Sequence, residues 1–188
     1  MVQSARKQPP LSVEDYLALE ASAAVKHEYV AGALHAQAGA SRRHNRIALT
    51  IASKLLSAAH DTPCRVSISD VKLRIDDGNS ALFYYPDVMV ACGPEPQDPL
   101  IETEPCLLVE VTSPSTESID RREKWLSYRR LLSLKVYVIV HQEERRVSRH
   151  YRDETGMWWH AEVAGEGLVP LPCPELTLSL EGIYEGSS

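Results

Sequence analysis

Apolar residues at Ile47, Ile51, Leu55 and Leu56 recur at three- and four-residue steps, the pattern of a helix with one buried face. That helix is expected over 42–60, with Ser41 as its N-cap and Asp61-Thr62-Pro63 ending it. An earlier helix begins at Ser12, with Asp15 three residues on in a capping-box-like arrangement. Between them, residues 27–30 and 33–36 read as two short strands joined through Ala31-Gly32 as a hairpin. Residues 64–69 and 71–75 are strand-like, and 76–79 form a turn. Residues 83–91 read as one strand interrupted by Pro86, a residue confined to strand edges, starts or bulges. A proline-rich loop over 93–105 leads into Cys106–Val111, a near-continuous apolar run expected of a buried central strand. A helix over 120–132 and strands over 136–140, 146–151 and 157–163 follow. The tail from Leu168 holds three prolines and an alternating Leu176, Leu178, Leu180, and is expected to complete the sheet or form a dimer surface. The order of elements predicts a mixed α/β fold in a single domain over 12–185, behind a disordered lead over 1–11.

Composition changes this picture little. The 188 residues suffice to bury a core, and with Phe83 as the single phenylalanine that core falls to Leu, Val, Ile and Tyr. A net charge of −6 argues against a sequence-independent coat on nucleic acid, which needs a basic face, but not against an enzyme that meets DNA or RNA in one groove. Basic residues do cluster at Arg121, Arg122, Lys124, Arg129 and Arg130, and again at Arg145 and Arg146. A solvated helix face and a charged hairpin are the plainer readings of those clusters. The four cysteines, Cys64, Cys92, Cys106 and Cys173, show no metal-ligand spacing, so a zinc knuckle is not expected. Neither a secretory h-region nor a membrane-length apolar run is visible, and the expectation is a cytoplasmic protein with reduced cysteines and no membrane contact.

Two acids stand where acids are costly. Glu110 interrupts the apolar run Leu107-Leu108-Val109 and Val111, and a buried carboxylate needs a partner, a proton or a cation. Strand alternation puts Leu108, Glu110 and Thr112 on one face. Asp87 repeats the pattern, between Tyr84-Tyr85-Pro86 and Val88-Met89-Val90-Ala91. Either acid alone reads as a strand-end carboxylate facing water or an arginine. Two such acids, 23 residues apart, could meet if their strands pair, and an oxygen-rich site of that kind suits Mg²⁺ or Mn²⁺.

Pro86-Asp87 followed by Glu110-Val111-Thr112 resembles the PD-(D/E)xK nuclease signature. A longer series of blocks resembles the Uma-two family of bacterial restriction-endonuclease-like proteins: His27 to Gly32, Ala38 to Ser41, His44 to Ile47, Tyr85 to Val88, Val109 to Thr116, Asp120 to Lys124, and Tyr128-Arg129. The resemblance spans about residues 12–185. It implies a restriction-endonuclease-like core, a mixed central β-sheet flanked by helices, with Asp87 and Glu110 holding a divalent cation and the Val111 carbonyl as a further ligand. The sequence departs from the signature at Thr112, where a lysine would position the attacking water. The same resemblance offers Lys124 as the substitute, four residues after Asp120 and on the same helix face; the plainer reading is an exposed Asp120–Lys124 pair. Glu28 is a third candidate acid, or an exposed strand residue. His44, near the start of the long helix, could pack, cap or act as a general base.

These residues support a metal-dependent nuclease acting on DNA or RNA, with Asp87, Glu110 and Lys124 catalytic and Glu28, Asp120 and His44 supporting. The implied assembly is a homodimer, because duplex cleavage needs two sites. The competing reading is a catalytically degenerate module on the same fold that binds nucleic acid or protein, favoured by Thr112 and the net negative charge. A purely structural, self-associating protein would leave the two strand acids unexplained.

Overall fold

The computed structural model describes residues 10–37, 39–78, 80–113 and 119–187, without the side chains of residues 119–121. After helix α1 (Val13–Glu20) and the hairpin β1 (His27–Val30) and β2 (Ala33–Ala36), the apolar stripe folds as α2 (Arg42–Ala59). The Ser41 hydroxyl accepts the His44 N–H at 3.0 Å, satisfying one of the first-turn donors. Ile47, Ile51 and Leu55 are buried, each contributing about 1.5–3 kcal/mol of burial free energy. Leu56, expected on the same face, is 63% exposed, because its position one residue past Leu55 rotates it off the stripe. In the first hairpin Ala31 and Gly32 both take positive φ, and a side chain at Gly32 would collide with Pro10.

The run expected as one strand over 83–91 is two. Strand β3 (Arg65–Ile68) and β4 (Lys72–Asp77) precede β5 (Ser80–Tyr84), which pairs with β1 and β4. The chain then bends at Pro86 and re-emerges as β6 (Val88–Ala91) in a different sheet, paired with β3. Proline has no amide hydrogen for the first ladder, so the break falls there. The loop after β6 contains a two-residue strand, β7 (Ile101–Glu102), parallel to β4. Strand β8 (Leu107–Thr112) is buried along its whole length. The helix expected over 120–132 is shorter: a wide π-type turn, Ile119–Lys124, runs into the single turn α3 (Trp125–Tyr128). Leu131 and Leu134 continue as buried turn residues, anchored by the Ser133 hydroxyl donating to the Pro105 carbonyl at 2.8 Å. Strands β9 (Val136–His141), β10 (Arg146–Arg152) and β11 (Trp158–Ala164) follow as a meander.

The result is a mixed α/β architecture with helices flanking two mixed sheets. One is six-stranded, in the order β11-β10-β9-β8-β6-β3; the other is five-stranded, β2-β1-β5-β4-β7. Alternation along β5 shows how they stack. Leu82 and Tyr84 face the six-stranded sheet, meeting Met89, Leu108 and Tyr137, while Ala81 and Phe83 meet Tyr16 of α1. On the other side, Val88, Val90, Leu107, Val109 and Val111 pack against α2. The tail hairpin, β12 (Leu168–Pro172) and β13 (Glu175–Ser179), does not complete either sheet as expected; it pairs with itself and, with α4 (Leu180–Ile183), covers α2. Among the described residues no helix is long and apolar enough to cross a membrane.

The cysteines correct a further expectation. Rather than four separate thiols, the structure holds Cys64 bonded to Cys92 and Cys106 bonded to Cys173, across sequence separations of 28 and 67 residues. Spacing along the chain conceals this, because the fold, not the local sequence, brings the four together.

Candidate active site

Strands β6 and β8 are antiparallel neighbours with Val88 opposite Val109, so one step further brings Asp87 level with Glu110. The Val111 N–H donates to Asp87 Oδ2 at 2.7 Å, tying the carboxylate at the Pro86 bend to the strand that carries the second acid. His44 Nε2 lies 3.1 Å from the same Asp87 oxygen, delivered by the first turn of α2. Asp87, Glu110, Val111, His44, Glu28 and Lys124 all line one cavity of about 900 Å³ between the two sheets and α2.

Lys124, the last residue of the π-type turn, points inward and is only 7% exposed. Its ammonium donates to Glu110 Oε1 at 3.0 Å and lies 3.1 Å from Glu28 Oε1. Thr112, which occupies the position of the signature lysine, is buried with a hydroxyl that makes no hydrogen bond among the described residues. A cation that the strand does not carry is therefore supplied from the helical turn. Tyr128, four residues on and hence on the same helical face, donates its hydroxyl to the same Glu110 oxygen at 2.8 Å. Burial, reinforced by the Glu110 charge, holds that phenol well above its ordinary pKa, so it remains a donor. Tyr84 underlies the ammonium, 6.0 Å from ring centre to Nζ, and burial raises its pKa as well. Sequence reasoning assigned no role to Tyr128, although its spacing from Lys124 carries the signal.

The remaining candidates separate clearly. Glu28 joins the site from β1; its ion contact with Lys124 lacks hydrogen-bond geometry, so Oε1 is a buried oxygen with no hydrogen bond among the described residues. Three carboxylates on one cavity form an all-oxygen donor set of the chemistry that fits a hard divalent cation. The Asp120 side chain lies outside the described residues. Arg129 and Arg130 are exposed, Arg130 pairing with Asp77 and Arg129 lying over the Trp125 ring at 5.9 Å, whereas half-buried Arg146 pairs with Glu144 and Glu162; the Arg121 side chain lies outside the described residues.

Residues 13–181 match the model of a family, Uma2, described as "Putative restriction endonuclease". The chain belongs to the Uma2 family. Two relatives of this Uma2 protein come from Synechocystis sp. (strain ATCC 27184 / PCC 6803 / Kazusa). The uncharacterized protein slr1290 is 31% identical over 179 residues, covering 95% of this chain and 93% of that protein. The uncharacterized protein sll1609 is 31% identical over 160 residues, covering 83% and 89%. A crystal structure from Anabaena variabilis ATCC 29413, of "a putative nuclease belonging to DUF820", superimposes with a TM-score of 0.79 over 95% of this chain and 100% of that one. At 17% identity that likeness establishes a shared fold.

Proposed function

We propose that this Uma2 protein is a divalent-cation-dependent nuclease that hydrolyses phosphodiester bonds of DNA or RNA at the cavity bounded by Asp87, Glu110 and Lys124. The observation that carries the proposal is the Lys124 ammonium 3.0 Å from Glu110 Oε1, a buried lysine brought to the strand acid from another element. A degenerate site would have no use for a lysine held there against the cost of burial. Asp87 and Glu110, with the Val111 carbonyl, would hold Mg²⁺ or Mn²⁺, which when bound supplies Lewis-acid polarisation of the phosphate and a more acidic water.

The chain's own groups do the rest. Val111 N–H and His44 fix one oxygen of Asp87, leaving the other directed by the strand bend. Tyr128 and Lys124 both bind Glu110 Oε1, which orients that carboxylate. As the nucleophile approaches, the Lys124 ammonium can orient the water and bind the phosphoryl oxygen on which negative charge grows. Glu28 holds that ammonium from the opposite side. A homodimer presenting two such cavities is the arrangement proposed for a duplex substrate.

The test is cleavage of a panel of DNA and RNA substrates with Mg²⁺ or Mn²⁺. Asp87→Ala and Glu110→Ala should each lower the rate by on the order of a hundredfold or more while the fold is retained. No cleavage by the wild type, together with equal Mn²⁺-induced melting shifts in wild type and Glu110→Gln, would refute the nuclease and leave a binding module on the same fold.

A further inference from the structure

Strands β6 and β8 carry a second cluster of ligating side chains at their other end. Five residues from Asp87, about 16 Å at roughly 3.3 Å per residue, the chain reaches Cys92. Cys106 immediately precedes β8, and its N–H is hydrogen-bonded to the Val90 carbonyl at 2.8 Å. Cys64 faces Cys92 one step beyond the Arg65–Ala91 pair, and Cys173 enters from the β12–β13 turn. Every cysteine in the chain is therefore at one place, delivered by four separate segments.

The sulfurs are close across the two bonded pairs as well as within them. Cys92 Sγ lies 3.2 Å from Cys173 Sγ and 3.5 Å from Cys106 Sγ. The sulfurs of Cys64, Cys92 and Cys173 all fall within 4.8 Å of one another. A tetrahedral zinc tetrathiolate, with Zn–S bonds of about 2.3 Å, spans about 3.8 Å between sulfurs. The sulfurs of Cys64, Cys92 and Cys173 thus fall within about one coordination sphere, and Cys106 Sγ sits at its edge, 3.5 Å from Cys92 Sγ.

We infer that the reduced cluster is a binding site for a thiophilic divalent cation such as Zn²⁺, with Cys64, Cys92, Cys106 and Cys173 as its four thiolate ligands. The inference is independent of the nuclease reading. The shell fits a soft cation: Cys106 and Cys173 are buried in the apolar core against α2, and Cys64 and Cys92 pack on its edge. Four thiolates and one divalent cation leave a net negative charge. The guanidinium of Arg65, the residue after Cys64, is committed elsewhere, pairing with Glu102 Oε2 at 3.0 Å and donating to the Gly93 carbonyl at 2.7 Å and the Pro94 carbonyl at 3.2 Å.

Conversion from the disulfide form requires two equivalents of a dithiol reductant. The first thiolate attacks the more accessible Cys64–Cys92 bond; resolution by the second thiol of the reductant frees both cysteines and leaves the reductant as a disulfide. The Cys92 thiolate, 3.2 Å from Cys173 Sγ, can then attack it, forming Cys92–Cys173 and expelling Cys106 as thiolate. A second dithiol reduces that new bond. Four electrons and four protons are taken up overall, and the four protons are released as the S–metal bonds form. The cation would fasten the β12–β13 hairpin, which has no backbone pairing to either large sheet, to the end of the six-stranded sheet.

The experiment uses the full-length chain, reduced with dithiothreitol, loaded with Zn²⁺ or Co²⁺ and freed of excess metal. One zinc per chain is expected, with all four thiols shielded from a thiol reagent until a chelator is added. Cobalt should give the strong sulfur-to-metal charge-transfer absorption of a tetrathiolate. Cys92→Ser and Cys173→Ser should lower metal affinity by at least about tenfold, whereas Glu110→Gln should leave the cobalt spectrum unchanged. Should the serine variants fail to fold, the wild-type cobalt spectrum decides. Less than about a tenth of an equivalent of zinc on the reduced wild type, or a cobalt spectrum without thiolate charge transfer, would overturn the inference.

Discussion

Replacing Lys124 with methionine keeps an unbranched side chain one atom shorter and removes its charge. The ammonium is 3.0 Å from Glu110 and 3.1 Å from Glu28, and Glu110 is only 4% exposed, so the variant leaves two neighbouring carboxylates without their shared counterion. Breaking a fully buried pair costs about 3–5 kcal/mol. Here the cavity admits water and Tyr128 still donates to Glu110, which places the loss near the lower bound, about 3 kcal/mol. For a chain of this size that corresponds to a fall of about 6–12 °C in Tm. The assay is thermal unfolding in EDTA and again with excess Mn²⁺. Manganese should raise the Tm of Lys124→Met by more than that of the wild type, because the vacated charge is then supplied by the cation. Adding Glu110→Gln to Lys124→Met should recover about 1–2 kcal/mol by removing one of the two neighbouring negative charges. A variant that melts within about 1 °C of wild type in EDTA, with no enlarged response to Mn²⁺, would show that the ammonium is not compensating these acids.

Tyr128→Phe removes a hydrogen bond to a charged, buried acceptor and should cost about 1.5–3 kcal/mol in chemical denaturation. Because the folded phenol is held well above its ordinary pKa, its stabilising effect is complete below about pH 10 and declines as the pH rises further; alkaline absorbance titration of the native protein should be the same with and without the substitution. Asp153, between β10 and β11, accepts from the Thr155 hydroxyl and the Trp159 indole, and these bonds pull its carboxyl down to about 2. Its contribution to stability is therefore complete above about pH 4 and lost as the pH falls through 2. Asp153→Ala should flatten the acid limb of the Tm–pH curve and make Trp159 more accessible to a fluorescence quencher; an unchanged acid limb would contradict the assignment.

What was legible in the sequence was what is set locally. The 3.6-residue stripe of α2, the Ser41 cap and the Ala31-Gly32 turn each reside in a few consecutive residues, and each folds as read apart from Leu56, which falls off the stripe. Glu110 stood out because an acid in a run of Leu and Val is costly wherever that run ends up buried. The features that were missed are set by distant partners. Pro86 was read as a flaw in one strand, but it is the crossing between two sheets, which depends on where β1, β3, β4 and β8 lie. The cysteine cluster joins segments up to 67 residues apart between successive cysteines, beyond the reach of spacing rules. Lys124 could be nominated through family resemblance, whereas its burial against both acids required the sheet to exist first.

The bend at Pro86 also decides where the chain can change length. Asp87 is held in place by the geometry of three residues between Tyr84 and Val88, with its carboxylate tied to the Val111 amide. One residue added there would turn the following strand over, trading its inward and outward sides and carrying the acid away from Glu110. The same addition in the stretch over 93–100, where no strand is formed, would be absorbed by slack in the loop. Insertions and deletions should therefore be far less tolerable across three residues at the centre of the molecule than across the longer proline-rich connection that follows, and a library of length variants would trace the boundary of the site without any measurement of chemistry.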